Sequence, residues 1–178
     1  MDSINRNQPE HNRQDLSGQA AVKRIKQVAE KAETCFFRST AATGESSGVR
    51  PMTVLEVDEE GSFWFFSAGD SHLNRDVGLD PKVELFFQGS THSDFLYLAG
   101  RAKISRDAAR IEKLWQPLFK TWFTEGKDDP RITVLKVTPN EGYYWDNKHG
   151  NLVAGAKMFV GAMIGKTLDD SIEGKVRV

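Results

Sequence analysis

Ser62-Phe63-Trp64-Phe65-Phe66-Ser67 is the stretch on which the reading of the fold turns. A strand with one face in water alternates apolar and polar side chains. Four consecutive aromatic residues leave neither face for water, so this strand needs cover on both sides. A barrel interior would cover one face, and a subunit contact is expected to cover the other.

Working outward, short strands surround this one. Thr34 to Ala41 and Val49 to Val57 read as strands joined through a hairpin loop at Gly44 to Gly48, and Asp58-Glu59-Glu60-Gly61 reads as a turn. Lys82 to Gln88, Asp94 to Ser105, Arg131 to Thr138 and Gly142 to Asp146 complete a set of about seven strands. Most are separated by short turns, which favours antiparallel pairing. A first helix is expected from Ser17, with Ala21, Ile25, Val28, Ala29 and Ala32 on one face. A short helix is expected from Ser71 to Leu79, ended by Asp80-Pro81. A longer helical stretch, Asp107 to Phe123, should be kinked or split by Pro117. Ala154 to Ile164 reads as a last short helix weakened by two glycines. The expectation is a mainly β protein, a small β-barrel with flanking helices that dimerises. Residues 16–178 form one domain, and residues 1–15, polar and carrying His11, form a disordered tail.

Composition narrows the function classes. The chain has 178 residues, 24 basic and 25 acidic, with a formal charge of -1. That balance gives no basic stripe for nucleic acid or a membrane surface. No apolar run is long enough to span a bilayer, and the N-terminus has no signal-peptide core, so a cytoplasmic protein is expected. A single cysteine, Cys35, excludes an internal disulfide; followed by Phe36-Phe37 in a strand, it reads as a buried inert thiol. His11, His72, His92 and His149 lack metal-ligand spacing, so no metal is expected. P-loop, dinucleotide-binding and Gly-x-Ser-x-Gly patterns are absent.

One constellation carries chemistry. Arg50-Pro51-Met52-Thr53 opens a strand, and Trp64 to Ala68 leads through Asp70 into Ser71-His72-Leu73-Asn74-Arg75. A phosphate needs backbone N–H groups, such as those at a helix start, and a nearby cation. Ser71 as helix cap with Arg50 and Arg75 nearby would form an anion pocket; a simple cap beside solvated arginines is the competing reading. Trp115 and Trp122 read as core or dimer packing. Trp145, in Tyr144-Trp145-Asp146-Asn147-Lys148, is the better candidate to cover a flat ligand.

These residues, with Asp80-Pro81-Lys82-Val83 and Trp122-Phe123 before Gly126-Lys127-Asp128-Asp129-Pro130-Arg131, resemble the general-stress-protein branch of the pyridoxamine 5'-phosphate oxidase-like flavoproteins. The likeness runs in order from about residue 20 to 165. It implies a split β-barrel homodimer with FMN at the subunit interface. It implies that Arg50, Met52 and Thr53 line the flavin, and that Phe66, Ser67, Ser71, His72 and Asn74 surround the ribityl phosphate. Gln88 would face the ring region, and Trp145 would come from the partner subunit. No catalytic residue is singled out. The implied function is an FMN-binding general stress protein, with low-specificity flavin-dependent oxidoreductase activity using NAD(P)H. The alternative is a non-catalytic flavin or haem binding or sensing protein of the same fold.

Two departures from the pattern matter. Leu73 stands where the family often has lysine, which removes a cation beside the phosphate. Asp146 to Asn151 contains no arginine, whereas the true oxidases hold substrate phosphate there with arginine and histidine. No useful oxidation of pyridoxamine phosphate is expected.

Overall fold

A computed structural model of the chain describes residues 12–45, 47–147 and 171–178. The strand that decides the fold is β5 (Phe63–Ala68; β1 to β4 are placed below), and two apolar layers meet on it. Phe63 and Phe65 are fully buried among Phe37, Leu85, Phe87, Leu98 and Leu135 in the barrel interior. Phe63 stacks on Phe87 at 5.2 Å between centroids, and Phe65 meets Phe37 edge-on at 5.7 Å. Trp64 and Phe66 face outward against Ile111, Leu114, Phe119 and Phe123. The expectation that a subunit contact covers this outer face is therefore corrected: the chain covers it with its own downstream segment.

The barrel is built from β2 (Thr34–Ser39), β3 (Val49–Thr53), β4 (Glu56–Val57), β5, β6 (Lys82–Gln88), β7 (Phe95–Ser105) and β8 (Ile132–Asn147). The order β3-β2-β6-β7-β8 is antiparallel throughout. The long strand β8 then divides its partners. Its first half, from Ile132 to Val137, pairs with β5, which carries β4. Its second half, from Glu141 to Asn147, pairs with β9 (Ser171–Arg177), which carries β1 (Leu16–Ser17) in parallel. The result is the split β-barrel with flanking helices that the sequence suggested. Helix α1 (Gly18–Ala32) lays Ala21, Ile25, Val28 and Ala29 against the barrel core. It ends at Glu33 in the left-handed region, whose N–H donates to Ala29 O at 2.8 Å.

Several boundaries differ from the sequence reading for identifiable reasons. The expected second strand breaks at Val54-Leu55 into β3 and β4. The expected pair Arg131–Thr138 and Gly142–Asp146 is one strand. It passes through Pro139 at a bulge of its own: Gly100 pairs with Pro139 and Ala99 with Glu141, so Asn140 is the extra residue on this strand, and a bulge is where a strand tolerates proline. A side chain at Gly100 would meet Thr138 O at 2.4 Å, so the close approach requires glycine. Pro117 splits the long helical stretch into α3 (Ala108–Leu114) and a 3₁₀ turn, Pro117–Thr121. Residues 12–15, expected to be disordered, are held by the sheet: Gln14 N–H donates to Glu173 O and Tyr144 Oη–H to Gln14 O. The expected helix Ala154–Ile164 and residues 1–11 lie outside the described residues.

Candidate functional site

Helix α2 (His72–Leu79) follows β5 directly, and its start organises the site. Ser71 is its N-cap, as expected, and Oγ accepts from Asn74 N–H at 3.2 Å. Ser67 Oγ lies 3.0 Å from Ser71 Oγ. Beside this hydroxyl pair opens a cavity of about 1240 Å³, bounded by β3, the end of β5, the start of α2 and the 3₁₀ segment. Of the residues expected at the site, Arg50, Met52, Thr53, Phe66, Ser67, Ser71 and His72 line it.

Three do not. Asn74 is buried and turned to β8, where Nδ2 donates to Thr133 Oγ1 at 2.9 Å. Its Oδ1 is buried without a hydrogen-bond partner. Gln88 and Trp145 share one row across the sheet, since both pair with Phe95. That row lies at the opposite end of β6 from Lys82 and is no part of the cavity wall of its own chain. Gln88 therefore travels with Trp145 rather than with Arg50.

The sequence reading missed residues on both sides of the cavity. Leu55, Phe119, Trp122 and Phe123 supply an apolar wall. Trp122, expected in a core or dimer contact, is 61% exposed at the rim, while Trp115 does pack against Phe66 and Phe119. Behind the polar wall lies Asp76, fully buried. Thr43 N–H and Oγ1–H donate to Oδ1, each at 2.7 Å; Ser39 Oγ–H and Arg50 Nη2–H donate to Oδ2 at 2.9 and 2.8 Å. Burial alone would raise its pKa, but the Arg50 and Thr43 hydrogen bonds outweigh that and hold Asp76 ionised far below the usual carboxylate range. The available signal was periodicity: Leu73, Asp76 and Val77 share one helix face, and a carboxylate on a buried face needs a cation.

His72 is exposed, with Nδ1 3.1 Å from Thr43 Oγ1. Cys35 is buried in the barrel core, and burial pushes its thiol up to about 12, which keeps it protonated and inert. The cavity thus joins an apolar wall able to hold a flat ring to a hydroxyl-rich wall able to hold a polyol or an oxyanion.

A family model described as pyridoxamine 5'-phosphate oxidase like matches residues 20–169. The chain belongs to this family. General stress protein 26 of Bacillus subtilis is 36% identical over 75 residues, covering 40% of this chain and 53% of that protein. Protein bli-3 of Neurospora crassa is 27% identical over 88 residues, covering 45% and 42%. The matches thus span about half the length of these curated relatives. Among solved structures, a general stress protein 26 from Jannaschia sp. CCS1 superposes with TM-score 0.69 at 20% identity, covering 90% of this chain and all of that one. A general stress FMN/FAD binding protein from Xanthomonas citri superposes with TM-score 0.58 at 25% identity, covering 68% and 84%. Among the described residues, no helix is long and apolar enough to cross a membrane.

Proposed function

We propose that this family member is an FMN-binding, cytoplasmic general stress protein that works as a homodimer, with low-specificity oxidoreductase activity drawing on NAD(P)H. The observation that carries the reading is the two-walled cavity at the start of α2. Met52, Leu55, Phe66 and Trp122 suit the face or edge of a flavin ring, and Thr53, Ser67 and Ser71 suit its ribityl chain. The cavity exceeds the roughly 300–1,000 Å³ of a typical ligand pocket, which leaves room for a second reactant beside the ring. The flavin/FMN assignment also leans on the Xanthomonas relative's described ligand.

A bound flavin would supply the redox chemistry. The chain's part is to position it: Asp76 fixes Arg50, Ser71 orders the helix start, and Phe66 and Phe119, 5.4 Å apart between ring centroids, exclude water from the apolar wall. Gln88 and Trp145 reach a flavin only from a second copy, which makes dimerisation part of the site. Among the described lining residues the only ionisable side chains are Glu45, Arg50 and His72, and this sparseness favours the alternative of a non-catalytic flavin binder. Loading the protein with FMN and adding NADPH without oxygen separates the two. Bleaching of the flavin absorbance supports the oxidoreductase; a bound flavin that stays oxidised supports the binder.

A further inference from the structure

The arginines around the helix start each have a partner within the chain. Arg50 is the one arginine, and there is no lysine, in the described cavity lining; its Nη2 is held by the buried Asp76 at 2.8 Å. Arg75 is turned to the Asp70 carbonyl, where Nη2 donates at 3.2 Å. Arg131 is engaged by Asp129 at 2.7 Å and by the Trp122 carbonyl. Leu73, where the family resemblance calls for lysine, is 3% exposed and packed into the barrel cluster. The lining also includes an acid, Glu45. Glu45 and Arg50 are the charged side chains of the described lining besides His72, and Arg50 is itself matched by Asp76, so neither arginine nor lysine is left there to pair with a phosphate. A phosphate monoester carries about -1.5 to -2 at pH 7. Such a group is bound strongly where charge-assisted hydrogen bonds meet it.

Resting on the flavin reading above, we propose that the cavity recognises the ring and polyol of a flavin and gives the terminal phosphate no net charge partner. Riboflavin and FMN are then bound with similar affinity, and Asp76 is the positioning residue that sets this selectivity by neutralising Arg50.

The test is a fluorescence-quenching titration of the full chain with riboflavin and with FMN. A single charge-assisted bond to phosphate corresponds to roughly a 10- to 150-fold preference. A preference for FMN below about tenfold is expected, and one of about tenfold or more overturns the inference while leaving the flavin reading intact. Saturable binding of neither flavin overturns both. Asp76→Asn removes the matching charge and leaves that of Arg50 uncompensated; the ratio of FMN to riboflavin affinity should rise to about tenfold or more. A folded Asp76→Asn protein with an unchanged ratio overturns the role given to Asp76. Glu45→Lys, at an exposed position on the rim, adds a cation without touching the core and should raise FMN preference in the same direction. No rise there contradicts a cavity that lacks only charge.

Discussion

Two outward faces of this barrel are both rich in aromatic side chains, and among the described residues only one is covered. On β5, Trp64 and Phe66 lie beneath α3 and the 3₁₀ segment. Arg110 stacks on Trp64 at 3.8 Å to the ring centroid, and Asp58 Oδ2 accepts from the indole N–H at 2.9 Å. Across β2, β6, β7 and β8, a row of paired residues runs Phe36, Phe86, Tyr97, Tyr143. Phe36 is 59% exposed and Phe86 40%, with Phe86 and Tyr97 rings 5.2 Å apart. Isolated exposed apolar residues need no explanation, but a contiguous aromatic row does. The contrast bears on where the proposed second copy would sit. The expected dimer contact on β5 is taken up by the chain's own downstream segment; among the described residues the row beside Trp145 is left open, and it is where the proposed second copy would dock.

The largest effect expected is on the covered face. Trp64→Ala should destabilise the fold by about 3–5 kcal/mol through an unfilled core, with the oligomeric state of the folded protein unchanged. Urea unfolding and sedimentation measure the two parts. If this variant dissociates a dimer without loss of stability, the faces have been assigned the wrong way round.

Next comes the cavity, which lies between the covered face and β3. Arg50→Ala strands a fully buried carboxylate, and breaking such a pair costs about 3 kcal/mol or more. Asp76 stays ionised far below the ordinary carboxylate range, so its contribution is fully present above that range. It is lost only as pH falls through the folded-state value. Arg50→Ala should therefore weaken stability at neutral pH and flatten its fall in strong acid. Equal losses at all pH values would mean that the pair is not what the substitution removes.

On the open face, Phe36→Asp with Phe86→Asp should weaken self-association by about 2 kcal/mol or more, the scale of an interface hot spot. The monomer should lose little stability from Phe36, which is 59% exposed, and somewhat more from Phe86, which is 40% exposed and packs on Tyr97. A dimer of this kind buries on the order of 2,000 Å². Sedimentation equilibrium that shows the same association constant for variant and parent removes the row as an interface.

The smallest effect belongs to Asp58. Burial raises its pKa, but hydrogen bonds from Trp64 and Ser62, with Lys136 nearby, bring the net shift below the ordinary value. Its stabilisation is present above the ordinary carboxylate range and fades as pH drops beneath it. Asp58→Asn should lower stability slightly at pH 7 and reduce its pH dependence in acid; Asp58→Asn without either change would leave the Trp64 cover resting on packing alone.

Much of this was legible in the residues. Phe63 to Phe66 announced a strand buried on both faces, Ser71 announced a helix cap, and Pro117 announced a break. The local pattern could not say which distant segment covers Trp64, because that is decided by packing of α3 some 45 residues on rather than by period. β9 escaped notice because its alternating run is only seven residues long and glycine stands at one of its three inward positions, Ile172, Gly174 and Val176, which weakens the apolar pattern. Gly174 is there for space: a side chain would meet Gln14 O at 1.9 Å. That Gln88 joins the row of Trp145 was not legible, because the end of a strand says which row it joins only once its partners are known. Asp76 was missed because a charged residue in a short helix reads as solvated until the helix face is tracked.

Flavin binding at the cavity is tested most directly by titrating FMN against the purified full chain and following flavin emission. The account predicts saturable quenching at one flavin per chain. Emission that stays unchanged up to about 100 μM protein, the affinity range of weak non-specific contact, would contradict it.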